Sequence, residues 1–191
     1  MGLDMNAIRS KEWQEIKEVC GRYQNPNILK TDCSNEIGPL ASRLIRINEI
    51  KGNVTCLEIN EKVIENAQKD LFGITIIRGD VRDIPFPEQW FDVLIDLSTI
   101  DHIHPYEIQT VFKEYKRVLK PNGTVLMFVW LTGNITYKER QEGQNKNNSE
   151  AQYFFQENDF IETLNRYFKV MKTEKIAEES DIYFQMYILK I

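Results

Sequence analysis

Residues 74–103 read ITIIRGDVRDIPFPEQWFDVLIDLSTIDHI, and this stretch decides the fold. It holds two β-rich runs, and acidic or small polar residues follow each run directly: Gly79-Asp80 after the first and Ser98 to His102 after the second. In a parallel α/β sheet, ligands bind in the crevice outside the carboxyl ends of the strands. The stretch therefore predicts a parallel sheet with a ligand site along that edge.

The rest of the chain alternates between helix-like and strand-like runs. We predict helices at 4–21, 39–49, 61–71, 106–119 and 154–168, and strands at 27–31, 54–59, 74–77, 91–97, 124–131, 169–176 and 182–191. Short β-α-β connections imply right-handed crossovers, so these elements predict one doubly wound α/β sheet with helices on both faces. The polar segment 132–149 is predicted to be irregular.

Length and composition limit the classes of protein that fit. The 191 residues predict a single domain: a leading helix (1–26), a cofactor-binding core (27–131), a variable substrate-side segment (132–155), and a helix with a closing hairpin (156–191). The net charge of −5 argues against nucleic-acid binding, which usually shows a basic face. The three cysteines lack metal-type spacing, so we expect packing residues, with neither a disulfide nor zinc. No stretch resembles a signal peptide or a membrane span, which predicts a cytoplasmic protein.

An acidic residue closes the second predicted strand. Glu58 lies 22 residues after Glu36, which matches the spacing of about 20 residues between a first cofactor loop and the acid that binds a ribose. A carboxylate suits this task because it can accept hydrogen bonds from both ribose hydroxyls. The alternative is an exposed strand-end charge. We expect Glu58 and the adjacent Ile59 to bind an adenosine-type cofactor.

The third and fourth strands end in further candidates. Asp80 could accept a hydrogen bond from an adenine amino group beside Val81, although aspartate also caps turns in any protein. The fourth strand should lie next to the first, so Asp96, Leu97 and Ser98 are expected to contact the cofactor. The reacting centre should follow, with Asp101 or His102 as a general base. The alternative for His102 is a capping or packing role.

The loop after the first strand is poor in glycine. It reads Asp32-Cys33-Ser34-Asn35-Glu36-Ile37-Gly38, whereas a dinucleotide site needs G-x-G-x-x-G. Ser34 is small enough to let the backbone approach a ligand. A carboxylate such as Glu36 would repel a pyrophosphate but could bind the amino group of an amino-acid-like cofactor. The loop therefore favours a cofactor that carries a sulfonium over NAD.

Four motifs in order resemble the class I S-adenosylmethionine-dependent methyltransferases of the type 11-like group. They are Glu58, Gly79-Asp80-Val81-Arg82-Asp83-Ile84-Pro85-Phe86, Phe91-Asp92-Val93-Leu94 and Arg117-Val118-Leu119-Lys120-Pro121-Asn122-Gly123. The resemblance implies a Rossmann-like sheet of seven strands, mostly parallel, with an antiparallel strand in the C-terminal hairpin. It also implies S-adenosylmethionine as cofactor and S-adenosylhomocysteine as product. The first loop, with Asp32, Ser34, Glu36 and Gly38, would hold the methionine part, Glu58 the ribose, and Asp80 with Val81 the adenine.

The first loop departs from the family pattern D/E-x-G-x-G. It is similar to a subgroup with K-T-D-x-x-x-E, here Lys30-Thr31-Asp32 to Glu36. The N-P-P-Y type sequence of amino-methylating nucleic-acid enzymes is absent after the fourth strand. We therefore expect a small-molecule, lipid or sugar acceptor. The alternatives are a methyltransferase-like binding or scaffold protein without turnover and, more remotely, an NAD-dependent oxidoreductase.

Overall fold

The computed structural model describes residues 4–34, 52–71, 73–133, 137–140, 152–179 and 181–191. The predicted helix at 39–49 and the predicted site residues Glu36 and Gly38 lie outside these ranges. The described helices are α1 (Met5–Cys20), α2 (Glu61–Asp70), α3 (Ile108–Val118) and α4 (Glu157–Asn165), with short 3-10 turns at Ile100–His102 and Pro105–Glu107. The strands are β1 (Asn27–Lys30), β2 (Asn53–Glu58), β3 (Thr75–Arg78), β4 (Phe91–Leu97), β5 (Leu119–Thr132), β6 (Tyr137–Arg140), β7 (Gln152–Gln156), β8 (Lys169–Glu179) and β9 (Ile182–Lys190).

These strands form one mixed sheet in the order β3-β2-β1-β4-β5-β7-β6, with β9 antiparallel to β5 and β8 antiparallel to β9. The neighbours from β3 to β5 pair in parallel. The strand order reverses direction between β1 and β4, so the crevice for a ligand opens where these two strands end. The predicted Rossmann-like fold, mostly parallel with an antiparallel C-terminal hairpin, is confirmed.

Apolar side chains cover both faces of the sheet. One core packs α3 and α4 against the sheet around Phe112, Leu164 and Met127. The other packs α1 and α2 around Ile16, Ala67 and Phe128. Strands β4 and β5 lie between the two cores, which explains why both read as continuous apolar runs rather than alternating ones.

Side chains of the residues just before two helices fix where those helices begin. Asp4 Oδ1 accepts the N–H groups of Asn6 and Ala7 at 3.0 and 3.1 Å and so caps α1. Asn60 Oδ1 accepts the Lys62 N–H at 3.0 Å and caps α2. Each cap satisfies donors that a helix leaves unpaired at its first turn. The second cap also fixes the chain direction just after Glu58.

The structure corrects three predicted elements. Strand β5 starts at Leu119 rather than Thr124, with Asn122 at φ 68° where its register with β4 shifts. Segment 132–149, predicted to be irregular, contributes β6, and β7 follows it. Helix α4 starts at Glu157, because residues 154–156 belong to β7.

Strands β6 and β7 were not predicted, and with them the described strands exceed the predicted seven. They are present because the end of β5 extends beyond β4 and can pair with another strand. Strand β9 pairs with β5 from Thr124 to Thr132 along one edge, while β4 occupies the other edge only as far as Phe128. Leu131 and Thr132 therefore have open backbone groups on the β4 side, and β7 pairs with them in parallel. The β6–β7 hairpin thus lies beyond the end of β4 and contacts the turn Ile100–His102.

Candidate functional site

A pocket of about 350 Å³ opens at the carboxyl edge of β1, β2, β3 and β4. Its size is within the range of small-molecule and cofactor sites. The residues that line it are Thr31, Asp32, Ser34, Glu58, Ile59, Asn60, Val63, Gly79, Asp80, Val81, Arg82, Leu97, Ser98, Thr99, His102 and Ile103. The pocket therefore collects most of the predicted cofactor residues, which come from four separate strand ends.

Glu58, the last residue of β2, places its carboxylate in the pocket wall. Its Oε1 accepts the N–H groups of Ile59 and Asn60, both at 2.9 Å, and its Oε2 accepts the Cys33 N–H at 3.1 Å. A carboxylate has about four lone-pair positions. The three backbone donors fix the orientation of the side chain and leave one position on Oε2 for a ligand.

Asp32 follows β1 and forms the floor of the pocket. Its Oδ2 accepts from Lys30 Nζ at 3.1 Å and Thr99 Oγ1 at 3.0 Å, and its Oδ1 accepts from Ser34 Oγ at 3.2 Å. Burial by itself would raise the pKa of Asp32, but the charge and hydrogen bond of Lys30, with the two hydroxyl donors, outweigh it and lower the pKa below the usual aspartate value. Asp32 is therefore a fixed negative charge in the pocket.

Asp80 also lines the pocket, but its carboxylate is occupied by Arg82. Oδ1 accepts from Arg82 N and Nε at 2.8 and 3.0 Å, and Oδ2 from Arg82 Nε and Nη2 at 3.1 and 2.6 Å. The hydrogen bonds from Arg82 lower the pKa of Asp80. Arg82 lines the pocket and also pairs with Glu107 at 2.9 Å. An adenine amino group would have to compete with a guanidinium for Asp80.

Asp96, expected to contact the cofactor, lies beneath the pocket with no exposed surface. Its Oδ2 accepts from the Tyr115 hydroxyl at 2.8 Å and its Oδ1 from the Thr99 N–H at 2.8 Å. Burial raises the pKa of Asp96 to about 6, although the Tyr115 hydrogen bond acts in the opposite direction. Asp96 thus anchors the turn that carries Thr99 rather than lining the pocket.

Asp101, expected as a general base, also faces away from the pocket and is fully buried. Its Oδ1 accepts the Trp130 N–H at 3.1 Å, and its Oδ2 has no hydrogen-bond partner among the described residues. Burial raises the pKa of Asp101 well above the usual carboxyl range, although the Trp130 N–H acts in the opposite direction. A buried side chain on the far side of the turn cannot take a proton from a ligand in this pocket.

Asp101→Asn should therefore increase the free energy of unfolding relative to wild type, and the increase should grow as the pH rises. Because the folded state holds the proton of Asp101 more tightly than the unfolded state, wild-type stability falls above pH ~4, the ordinary aspartate pKa. The variant has no proton to lose, so its stability relative to wild type should rise by about 1.4 kcal/mol per pH unit until the folded pKa is reached. Urea unfolding of both proteins at pH 4, 5, 6 and 7 measures this, and a pH-independent difference would contradict it.

The end of β4 and the turn after it supply the last wall of the pocket. Leu97, Ser98 and His102 line it as predicted, and His102 is exposed. Ser98 has φ 69°, which is uncommon for a residue other than glycine, and its N–H donates to Phe128 O at 2.9 Å. Such backbone strain is typical of functional sites. This conformation turns the chain sharply from the strand toward His102.

Thr31, Thr99 and Asn60 line the pocket but were missed in the sequence. Thr31 and Thr99 directly follow β1 and Ser98, so small hydroxyl residues at strand ends were the signal that could have found them. Their Oγ1 atoms lie 2.7 Å apart and join the ends of β1 and β4. Within the described residues, no group of His, Cys, Asp and Glu side chains could hold a metal ion.

Residues 36–127 match the family model described as a methyltransferase domain. This span runs from the first loop through the second, third and fourth strands into β5, and so includes most of the residues around the pocket. Over this span the chain is similar to a methyltransferase domain. The sequence resemblance to this family is confirmed.

Relatives of this methyltransferase domain differ in length and in name. A protein of Encephalitozoon cuniculi that is named as a methyltransferase is 24% identical over 153 residues, which are 78% of this chain and 67% of the relative. The Probable tRNA methyltransferase 9B of Mus musculus is 27% identical over 124 residues, 64% of this chain. The match spans only 26% of that tRNA methyltransferase.

Solved structures share the fold of the methyltransferase domain. An S-adenosylmethionine-dependent methyltransferase from Mesorhizobium loti has a TM-score of 0.75 at 17% identity, with 100% of both chains covered. The 1,6-didemethyltoxoflavin-N1-methyltransferase of Burkholderia thailandensis, solved with S-adenosylhomocysteine, has a TM-score of 0.72 at 16% identity and covers 97% of this chain and 78% of its own. No helix among the described residues is long and apolar enough to cross a membrane.

Proposed function

We propose that the pocket binds S-adenosylmethionine and that the protein transfers its methyl group to a small-molecule, lipid or sugar acceptor. The observation that carries the proposal is Glu58, whose carboxylate is fixed by three backbone donors at the end of β2 with one acceptor position left on Oε2. That position suits a ribose hydroxyl. The first loop lacks the glycines that a pyrophosphate needs, which supports a sulfonium cofactor over a dinucleotide.

The other lining residues fit the remaining parts of this cofactor. Ile59, Val81, Leu97 and Ile103 provide apolar surface for an adenine ring, and Asp32 provides a negative charge at the methionine end. When bound, S-adenosylmethionine supplies a methyl group on a positively charged sulfur. The protein's task is then alignment, since positioning can contribute several kcal/mol to such a displacement.

His102 is the proposed general base for an acceptor that must lose a proton. It lines the pocket and is exposed, whereas Asp101 is buried behind it. A positioned base contributes typically 10²- to 10⁴-fold to the rate. The acidic net charge of −5 supports an uncharged or cationic acceptor over a nucleic acid.

Thermal unfolding in the presence of ligand tests the proposal. At 100 times its dissociation constant, a ligand stabilises the folded state by about 2.7 kcal/mol. For a domain of this size, that should raise Tm by roughly 5–10 °C. We expect this shift with S-adenosylmethionine and S-adenosylhomocysteine but not with NAD. A folded sample that shows no shift with either would contradict the proposed cofactor.

The second candidate is a methyltransferase-like binding protein without turnover. The observation that favours it is Ser34 in the first loop, which stands where the family pattern D/E-x-G-x-G has a glycine near the methionine part. Methyl transfer from labelled S-adenosylmethionine to a panel of small molecules, lipids, sugars and tRNA separates the two. Cofactor binding without transfer to any of them would favour the second candidate, and transfer to tRNA would contradict the proposed acceptor class.

A further inference from the structure

Lys30 is a charged side chain in the middle of the sheet. It is the last residue of β1, it lies beside Cys56 of β2 and Ile95 of β4, and its side chain is only 1% exposed. Lysine is almost never fully buried unless it is paired. Its ammonium group donates to two atoms of one residue, the Asp32 carbonyl oxygen at 2.8 Å and Asp32 Oδ2 at 3.1 Å. Lys30 therefore holds both the backbone and the side chain of Asp32.

These contacts leave one part of the Asp32 carboxylate open to the pocket. Among the described residues, Oδ2 receives two donors, Lys30 Nζ and Thr99 Oγ1, whereas Oδ1 receives one, Ser34 Oγ at 3.2 Å. Each carboxylate oxygen has about two lone-pair positions. With a side chain 15% exposed and one position open on Oδ1, Asp32 presents a directed anionic acceptor to a ligand.

A cationic donor is the natural partner of such an acceptor. A charge-assisted hydrogen bond is shorter and about twice as strong as a neutral one. The proposed cofactor and its product both carry an α-ammonium group on the methionine part, and 5′-methylthioadenosine has the same nucleoside thioether without that part. These three molecules therefore separate recognition of the ammonium from recognition of the nucleoside.

We propose that Lys30 is a positioning residue that holds Asp32 so that Asp32 Oδ1 binds the α-ammonium group of S-adenosylmethionine. This inference rests on the proposed function and adds a residue that does not itself line the pocket. The pair lies at the start of the glycine-poor loop, so this part of the chain keeps a directed contact for the methionine part although the glycines are missing. The nucleoside end should be bound independently, by Glu58 and the apolar residues.

Isothermal titration calorimetry with S-adenosylhomocysteine and 5′-methylthioadenosine tests this inference on wild type, Lys30→Met, Asp32→Asn and the double variant. A charge-assisted hydrogen bond corresponds to an affinity change of about tenfold or more. We expect each variant to bind S-adenosylhomocysteine at least tenfold more weakly than wild type does. The affinity for 5′-methylthioadenosine should stay within twofold. The double variant carries neither charge of the pair, so its fold does not have to hold one of these two charges without the other.

Lys172→Met is the matched control. Lys172 Nζ pairs with the buried Glu15 carboxylate at 2.7 Å, outside the pocket, so its loss should leave both affinities within twofold. Equal losses for the two ligands in Lys30→Met, or an unchanged affinity of the double variant for S-adenosylhomocysteine, would show that Lys30 is only structural. If Asp32→Asn weakened S-adenosylmethionine but not S-adenosylhomocysteine, Asp32 would bind the sulfonium, and the inference would be wrong. Wild type that bound neither ligand would contradict the proposed function as well.

Discussion

Replacing Glu58 with alanine is expected to weaken S-adenosylmethionine binding by about 10- to 150-fold. Hydrogen bonds to a charged group contribute about 1.5–3 kcal/mol each, and the proposed ribose contact uses the one open position on Oε2 while the other three hold the carboxylate in place. The substitution removes both the contact and its support. Isothermal titration calorimetry on wild type and variant measures the loss directly.

His102→Ala tests whether the loss of cofactor affinity is specific to Glu58. His102 also lines the pocket, but as a proposed base it should act on turnover, so cofactor affinity should stay within about threefold of wild type. Asp92→Ala serves as a control, because Asp92 Oδ2 accepts the Asn27 N–H at 2.8 Å near the start of β1, away from the pocket. Equal affinity of wild type and Glu58→Ala would remove Glu58 from the proposed site.

Asp32→Asn is expected to destabilise the protein by about 1.5–3 kcal/mol, because the hydrogen bond from Lys30 Nζ to the charged Asp32 carboxylate is lost. Lys30, the donor of that bond, has a side chain that is only 1% exposed. Lys30→Met should cost less, since Asp32 is 15% exposed and keeps its hydrogen bonds from Thr99 and Ser34. Urea unfolding at neutral pH measures both values.

The double variant completes this thermodynamic cycle. With Lys30 and Asp32 both neutral, stability should return to within about 1 kcal/mol of wild type, because replacing a whole buried pair is often close to neutral. The coupling energy between the two positions should therefore be about 2 kcal/mol or more, the range found for residues in direct contact. Additive effects of the two substitutions would mean that the pair does not act as a unit.

The core of the fold could be predicted because its strands have to be apolar on both sides. Phe91–Leu97 was predicted to the residue, since a strand between two helical layers has little choice of side chain. Glu58 was singled out because the strand before it was predicted, and the residue that ends a parallel strand lies at the edge where ligands bind. In these places, local sequence and tertiary structure point to the same element.

The β6–β7 hairpin could not be predicted because its cause is not local. Segment 132–149 is polar, and nothing in its composition reveals that β5 has open backbone groups beyond Phe128. Edge pairing of this kind depends on where a distant strand stops. The same applies to the start of β5, where Pro121-Asn122-Gly123 reads as a helix stop but lies within the strand.

Two acidic residues predicted for the candidate site, Asp96 for the cofactor and Asp101 as a base, lie outside the pocket lining. Asp96 and Asp101 were chosen because they flank the end of β4, but proximity in sequence does not give the direction of a side chain. Asp96 points to Tyr115 on α3, and Asp101 points to the backbone of Trp130 on β5. Arg82 was not singled out in the sequence, because its partner Glu107 lies 25 residues further on.

The attachment of the β6–β7 hairpin has a consequence for how this scaffold can diversify. Within the described parts of the chain, two residue pairs, Leu131 with Phe155 and Thr132 with Gln156, join it to β5, while the pocket lining comes from the ends of β1, β2, β3 and β4. The β6–β7 hairpin is therefore attached to the sheet through a short pairing and does not itself line the pocket. Exchanging it for that of a related protein should alter which molecule reaches His102 and leave the nucleoside-binding half of the pocket intact.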